Sequence, residues 1–429
     1  MKNKLLIVLT SLFISIFLVG CGKEKVKLDD IVHMRYLDLV HLAGTRYELD
    51  VEYVQTAQYY PNTVIGYADH KAGDMVPRGS KVKVLVSSIP ENAQQFEDSK
   101  VLYSFNTGKW TGPNSLNEEV LLDAGISGCD LGIPIDLGDE VIYLFGDTFS
   151  GEGRTGFWFS NYIARSTDRV FYDGVTFDSV VTRPNGMVLP FAQGAHEDGS
   201  IENTGSEVTK IPTGGIKIGD YVYIFYMSVR YWGPNATWLI NYNQCVRSSD
   251  LTTWEEVQGL RWEEDEAYNF GQIYPFKDPK SDYIYLYSIP GGRQGKSVTS
   301  RVKVENFELR DEYEYLVGEN TWIKGNDGLK AIKDNPYYNI NASKVSELCV
   351  MYNEFFGKYT MIFTIAGKVY MYESETPYGV FDNPTLLYEG TLYGSVTSQT
   401  IIEDNGQTIY FPVSNWDVYN TFWIQVRFK

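Results

Sequence analysis

Two aspartates in the segment 127–150 have the residue type and spacing that acid–base chemistry requires. Asp130 lies in one β-patterned run and Asp147 in the next, and a Gly138-Asp139 pair separates the runs. A Gly-Asp pair between apolar runs predicts a two-residue hairpin turn. Counting outward from that turn places Asp130 directly opposite Asp147, where like charges are destabilising. The pair therefore predicts part of a carboxylate active site; two solvated loop acids are the alternative.

Paired carboxylates favour glycoside hydrolysis, which needs one protonated and one ionised carboxyl group. Our hypothesis makes Asp130 the base or nucleophile, tuned by Asp147, with Glu207 or Glu347 as the distant acid. His196 is the single histidine after residue 100, so Ser-His or Cys-His catalysis and a histidine zinc site are disfavoured. No metal and no cofactor are expected.

Aromatic and polar side chains near predicted strand ends are candidates for binding a sugar, because a flat ring covers the apolar face of a pyranose or furanose. Arg293 is included as part of a cationic loop, 291–297, whose pattern fails as a phosphate-binding loop. The polar segments 190–205 and 318–343 are expected to be loops that decide specificity. The candidate binding residues are Trp232, Arg230, Arg293, Tyr393, Gln399, Asn415 and Trp416.

A repeated β pattern must position these residues. Five times a short run is followed by a turn and a Tyr- or Phe-rich run, and no segment here carries a long helical period. The five second runs are EVIYLF from Glu140, DYVYIFYM from Asp220, DYIYLYS from Asp282, KYTMIFT from Lys358 and QTIYFPV from Gln407. This spacing predicts a mainly β protein with a five-bladed β-propeller over residues 100–429. VLYSF from Val101 is expected to close the ring with the C-terminal TFWIQVRFK, and a two-sheet sandwich is the alternative.

The N-terminus carries the pattern of a lipoprotein signal peptide. An apolar run from Leu5 to Val19, too short to span a membrane, is followed by Gly20 and Cys21. This segment resembles the bacterial lipobox, which implies a signal peptide at residues 1–20, lipidation of Cys21 and a tether at residues 21–30. The expected location is extracytoplasmic, anchored to the bacterial membrane by lipid.

A small α+β domain is expected between the tether and the β repeats. Residues 31–43 show helical spacing with Gly44 as a stop, and two strand-like runs follow. The run from Asn62 to Gly66, with Arg78 to Val82, resembles a PASTA domain, which implies a module at residues 31–88 associated with peptidoglycan. A spacer role is equally open. The polar residues 89–99 are interpreted as a linker.

Composition limits the partners. The net charge of −18 makes nucleic acid an unsuitable partner and favours a neutral substrate or a cationic surface, unless local basic loops intervene. Cys129, Cys245 and Cys349 are too widely spaced for a disulfide framework, so each is interpreted as a small buried residue. A monomer is expected.

Three longer segments carry a resemblance to a known family. GCDLGIPIDLGDEVIYLFGDTF, SELCVMYNEFFGKYTMIF and TIYFPVSNWDVYNTFWIQV resemble domain of unknown function 4185, whose relatives include glycoside hydrolase family 183, enzymes that cut D-arabinan internally. The resemblance implies a five-bladed propeller and a polysaccharide substrate for a surface-tethered glycoside hydrolase. A non-catalytic lipoprotein that binds wall glycan is the main alternative, and a structural partner of envelope assembly proteins is a third.

Overall fold

The computed structural model describes residues 24–198, 207–263, 269–293, 295–341 and 344–429. The predicted signal peptide and Cys21 lie outside these ranges. The described chain is mainly β and divides into two compact units, one ending at Ile89 and one running from Pro90 to Lys429. Within these ranges no helix combines the length and the apolar character that a membrane crossing demands.

The first unit packs a short helix on a three-stranded sheet of order β2-β5-β3, beside a two-stranded sheet of β1 and β4. Strand β5 alternates exposed or half-buried residues with buried Val82, Val84 and Val86, the period of a strand with one face in the core. The elements are β1 (Lys25–Lys27), α1 (Tyr36–Ala43), β2 (Glu48–Gln55), β3 (Val64–Tyr67), β4 (Met75–Pro77) and β5 (Lys81–Ser88).

Helix α1 ends where the sequence predicts and begins later. Gly44 has φ 46° and its N–H donates to the Val40 carbonyl, so it terminates the helix. The predicted start at residue 31 is wrong, because His33 has φ 66° and Arg35 is extended. Arg35 forms a β-bridge with Thr63, so the chain just before the helix pairs with the residue that precedes β3.

The second unit consists mainly of five antiparallel sheets. The first contains β7 (Gly128–Asp136), β8 (Val141–Gly151), β9 (Thr155–Phe159), β10 (Tyr162–Ser166) and β11 (Ser179–Val180). The second contains β12 (Thr209–Ile218), β13 (Tyr221–Tyr231), β14 (Leu239–Ser248) and β15 (Glu255–Glu263). The third contains β16 (Gln272–Lys277), β17 (Tyr283–Ile289), β18 (Val298–Lys303), β19 (Glu314–Gly318) and β20 (Thr321–Lys324).

The remaining sheets follow the same meander. The fourth contains β21 (Leu348–Asn353), β22 (Lys358–Ile365), β23 (Lys368–Ser374) and β24 (Asp382–Glu389), and the fifth has the order β25 (Ile402–Glu403), β26 (Thr408–Asn415), β27 (Asn420–Phe428) and β6 (Val101–Lys109). The described part of the unit also contains helix α2 (Glu118–Asp123), helix α3 (Gly325–Asp334) and several short 3-10 helices. The expected loop at 318–343 is therefore wrong in part, since it contains β20 and α3.

Each of the five Tyr- or Phe-rich runs forms the second strand of its sheet, as the repeat predicts. These strands are largely buried, which explains why their sequences are apolar rather than alternating. β6 pairs with β27, so the predicted union of Val101 with the C-terminal run is also confirmed. Cys129, Cys245 and Cys349 are buried free thiols, as predicted.

Candidate active site

A cavity of about 500 Å³ opens in the second unit. Among the described residues, its lining includes three carboxylates, two arginines and several aromatic rings, from segments near strand ends in all five sheets. β7 and β8 supply Asp130 and Asp147, the residue before β21 supplies Glu347, and the β26–β27 turn supplies Trp416. The sheets thus bring residues far apart in sequence into one acidic, aromatic site.

The β7–β8 hairpin forms with the predicted register but bulges at the aspartate. Leu137 N–H donates to the Glu140 carbonyl across the Gly138-Asp139 turn, and Asp136 pairs with Val141. The register then shifts on both sides of Leu131, so the predicted direct pairing of Asp130 with Asp147 is wrong. β-Bulges re-aim side chains and are frequent beside active sites.

Backbone strain accompanies the bulge. Leu131 has φ 71°, which is unusual for a bulky residue, and Gly132 has φ 101°. Leu131 N–H donates to Ser414 Oγ at 2.8 Å, which ties the bulge to β26. A Cβ on Gly132 would lie 2.6 Å from the Trp110 ring, so this position admits only glycine. These contacts hold the strained bulge, and the bulge fixes the direction of the Asp130 side chain.

Gly146 provides the space that the Asp130 carboxyl occupies. A Cβ at this position would lie 2.5 Å from Asp130 Oδ1. Gly146→Ala is therefore expected to push the carboxyl toward the open cavity, lowering the pKa of Asp130 and costing about 1 to 3 kcal/mol of stability. A carboxyl NMR titration checks the pKa, with Gly318→Ala, which meets only ordinary contacts, as control. An unchanged Asp130 titration would contradict this geometry.

Asp130 is poised to exchange a proton near neutral pH. Burial raises the pKa of Asp130 to about 6, against the hydrogen bond from Tyr393 and the charge of Arg293, which lower it. The Tyr393 hydroxyl donates to Asp130 Oδ2 at 2.9 Å. Within the described ranges Oδ1 accepts no hydrogen bond. Tyr393 thus holds one oxygen, and the Tyr419 hydroxyl also approaches the carboxyl and lowers the pKa of Asp130.

Asp147 is buried and oriented from the neighbouring sheet. Thr209 Oγ1, at the start of β12, donates to Asp147 Oδ1 at 2.6 Å. Asp130 and Asp147 line the same cavity with different hydrogen-bond environments, the arrangement in which two carboxyl groups take different roles.

Glu347 is bound to Arg293. Arg293 donates three hydrogen bonds of 2.6 to 3.0 Å to the two carboxylate oxygens. Its guanidinium carbon also lies 4.3 Å from the Tyr393 ring centroid and 5.0 Å from that of Trp238. This bidentate pair fixes the position of Glu347 and links it, through Arg293 and Tyr393, to Asp130.

Four predicted residues are not brought to the cavity. Glu207 accepts hydrogen bonds from Ser228 and Tyr242 instead. Asn415 Oδ1 accepts two backbone N–H groups of its own turn, Gln399 lines a separate cavity of about 160 Å³, and Arg230, near the end of β13, is outside the lining. The predicted residues that do line the cavity are Asp130, Asp147, Glu347, Trp232, Arg293, Tyr393 and Trp416.

Sequence reasoning missed several lining residues. Trp238 packs edge-on against Trp232, with ring centroids 5.4 Å apart, and Tyr419 packs against Trp416 at 5.7 Å. Their proximity in sequence to predicted aromatics was the available signal. Arg154 stands in the β8–β9 turn, and nothing in its local sequence sets it apart from other surface arginines. The described ranges hold no cluster of His, Cys, Asp or Glu suited to a metal ion.

The family model described as "Domain of unknown function (DUF4185)" matches residues 114–425. The chain belongs to this family. The match covers Asp130, Asp147 and Glu347, so the DUF4185 domain contains the three carboxylates that line the cavity among the described residues. A search of curated proteins finds no match.

The DUF4185 domain has the fold of a solved protein of Bacteroides ovatus ATCC 8483 described as a candidate hydrolase. That structure is 14% identical, with a TM-score of 0.56 over 78% of this chain and 93% of the other. A GH43_1 enzyme from Xanthomonas citri complexed with xylotriose is 10% identical, with a TM-score of 0.42 over 76% and 89% of the two chains. The native arabinanase Arb43A of Bacillus subtilis is 12% identical, with a TM-score of 0.39 over 70% and 96%. The last two likenesses are too weak to bear on function.

Proposed function

We propose that this protein is a surface-anchored glycoside hydrolase acting on a cell-envelope or extracellular polysaccharide. The observation that carries the proposal is that Asp130, whose pKa is raised to about 6, and Asp147 line one cavity together with aromatic rings. Glycosidases need two such carboxyl groups in different protonation states. The resemblance to enzymes that cut D-arabinan makes a furanose polymer of arabinan type the first substrate to try.

In this mechanism Asp130 transfers the proton. A carboxyl with a pKa of about 6 gives and recovers a proton more readily near neutral pH than an ordinary aspartate. Asp147 is the ionised carboxylate that faces the developing positive charge on the sugar. This assignment departs from the sequence hypothesis of a glutamate acid, since Glu207 lies outside the cavity lining and both carboxyl oxygens of Glu347 are bound by Arg293.

The aromatic rings of the cavity are proposed to hold the sugar residues. Trp232 and Trp416 offer exposed faces that would orient stacked pyranose or furanose rings, whereas Tyr393 is buried and holds Asp130 through its hydroxyl. The five sheets are proposed to be the blades of a β-propeller, with the first strands around a central axis. The first unit is proposed to be a PASTA-like module, tethered through lipidated Cys21 outside the cytoplasm.

Product release from a panel of purified polysaccharides, including D-arabinan, tests the proposal. Soluble oligosaccharides from the mature protein and none from Asp130→Asn are expected. The panel is incubated with equal amounts of each protein, and products are separated by size. Release by neither protein from any glycan in the panel would refute the hydrolase, and equal release by both would remove Asp130 from its mechanism.

A non-catalytic glycan-binding lipoprotein is the second candidate, favoured by the exposed ring of Trp416 at the cavity mouth. Trp416→Ala is expected to weaken retention on the recognised glycan about tenfold, because one stacking surface is lost. Tyr221→Ala, an exposed aromatic outside the cavity lining, serves as control. Strong retention without any product, lost in Trp416→Ala and kept in Asp130→Asn, would favour binding over hydrolysis.

A further inference from the structure

Arg154 is a cation that the proposed chemistry does not use. It lies in the turn between β8 and β9 and lines the same cavity as Asp130 and Asp147. The turn is anchored, because Ser150 Oγ accepts the Phe157 N–H at 2.8 Å. The Gly153 carbonyl approaches Gly128 so closely that a Cβ there would lie 1.9 Å from it. Arg154 is therefore presented from a fixed hairpin.

The guanidinium group of Arg154 is stacked. Its central carbon lies 3.9 Å from the centroid of the Trp416 ring and 5.5 Å from that of Tyr419. A guanidinium on an aromatic face keeps its N–H groups in its own plane, directed away from the ring and available to acceptors. Stacking thus orients the donors without using them.

No carboxylate neutralises Arg154 within the part of the chain that the structure describes. Other arginines of the described chain form salt bridges with Asp or Glu. The second cavity arginine, Arg293, is bound by Glu347 in this way. A cation placed in a cavity, oriented by a ring and left without a counter-ion is suited to an anion on the ligand. The planar donor fork matches the two oxygens of a carboxylate or phosphate.

We infer that Arg154 selects acidic glycans, by binding a carboxylate or phosphate on a sugar next to the one held between Asp130 and Asp147. This inference rests on the proposed function for the site and names its substrate class. It replaces the expectation of a neutral substrate that the net charge of −18 suggested. The attraction would come from the Arg154 guanidinium itself and not from the hairpin as a whole, which also carries Asp147 and Glu152.

Binding measured on the Asp130→Asn background tests the inference without turnover. The probes are an oligogalacturonide, the same oligosaccharide after carboxyl reduction, phosphorylated dextran and unmodified dextran. At least one charged probe is expected to bind about tenfold or more tightly than its neutral parent. Adding Arg154→Gln should remove that preference, whereas Arg261→Gln, an arginine stacked on Tyr242 outside the cavity lining, should not.

The outcomes separate this inference from the hydrolase itself. A charge preference that Arg154→Gln abolishes supports the inference even if the wild-type protein releases no product, and the identity of the preferred probe distinguishes carboxylate from phosphate. Equal binding of charged and neutral probes, or a preference that survives Arg154→Gln, overturns it even if the protein hydrolyses a neutral glycan.

Discussion

Asp130→Asn is expected to lower glycan hydrolysis by about 10² to 10⁴-fold, the contribution typical of a positioned proton-transfer group. The amide keeps the shape of the side chain and can still accept from the Tyr393 hydroxyl, so the cavity should persist. The loss should therefore appear in kcat more than in KM. Initial rates on the best polysaccharide of the panel measure it, with Asp139→Asn at the exposed hairpin turn as control. Activity within threefold of wild type would remove Asp130 from the mechanism.

The same variant should be more stable than wild type at neutral pH. Burial raises the pKa of Asp130 from 3.8 to about 6, so its contribution to stability is complete below pH 3.8 and is lost as the pH rises through 6. The loss amounts to at most about 3 kcal/mol. Urea unfolding should find Asp130→Asn more stable than wild type at pH 7, with the difference shrinking toward pH 4. A difference independent of pH would contradict the raised pKa.

Glu347→Gln is expected to destabilise the protein by about 3 kcal/mol. The side chains of Arg293 and Glu347 are only 26% and 12% exposed, and removal of one partner leaves a largely buried charge unpaired. The free energy of unfolding from denaturant titration measures the effect. The pKa of Asp130 should also fall, because the charge of Glu347 raises it and that of Arg293 lowers it.

Two controls identify the cause of that loss. Glu389→Gln breaks an ion pair whose side chains are 40% and 53% exposed, and it should cost less than about 1 kcal/mol. The double variant Arg293→Gln with Glu347→Gln removes both charges and should recover part of the stability. A Glu347→Gln variant as stable as wild type would show that the pair contributes little.

Regular features of the second unit were predictable because they follow from local rules. Apolar Tyr- and Phe-rich runs preceded by a turn gave the second strand of each sheet, and the Gly138-Asp139 pair gave the hairpin register. Three of the four proposed acids line the cavity because strand ends of several sheets meet there. Glu207 did not, since the same strand end also offers Ser228 and Tyr242 as local donors.

Other features depend on contacts that no local pattern encodes. The bulge at Leu131 is stabilised by Ser414, more than 280 residues away, so its effect on Asp130 could not be counted from the turn. Helix α3 has the sequence GNDGLKAIKD. Its two glycines and several charged residues do not indicate a helix, and its buried apolar face consists only of Leu329 and Ile332 beside Gly328. The stacking of Arg154 on Trp416 joins the first sheet to the fifth and is equally non-local.

Because β6 pairs with β27, the fifth sheet contains strands from the beginning and the end of the second unit. During synthesis β6 is made long before β27. The backbone edge of β6 that pairs with β27 therefore has no partner while the other four sheets are made. Trp416 and Tyr419 lie just before β27 in the chain, so we expect them to reach their positions in the cavity only when β27 pairs with β6. A chain stalled before β27 therefore lacks the strand that pairs with both β26 and β6.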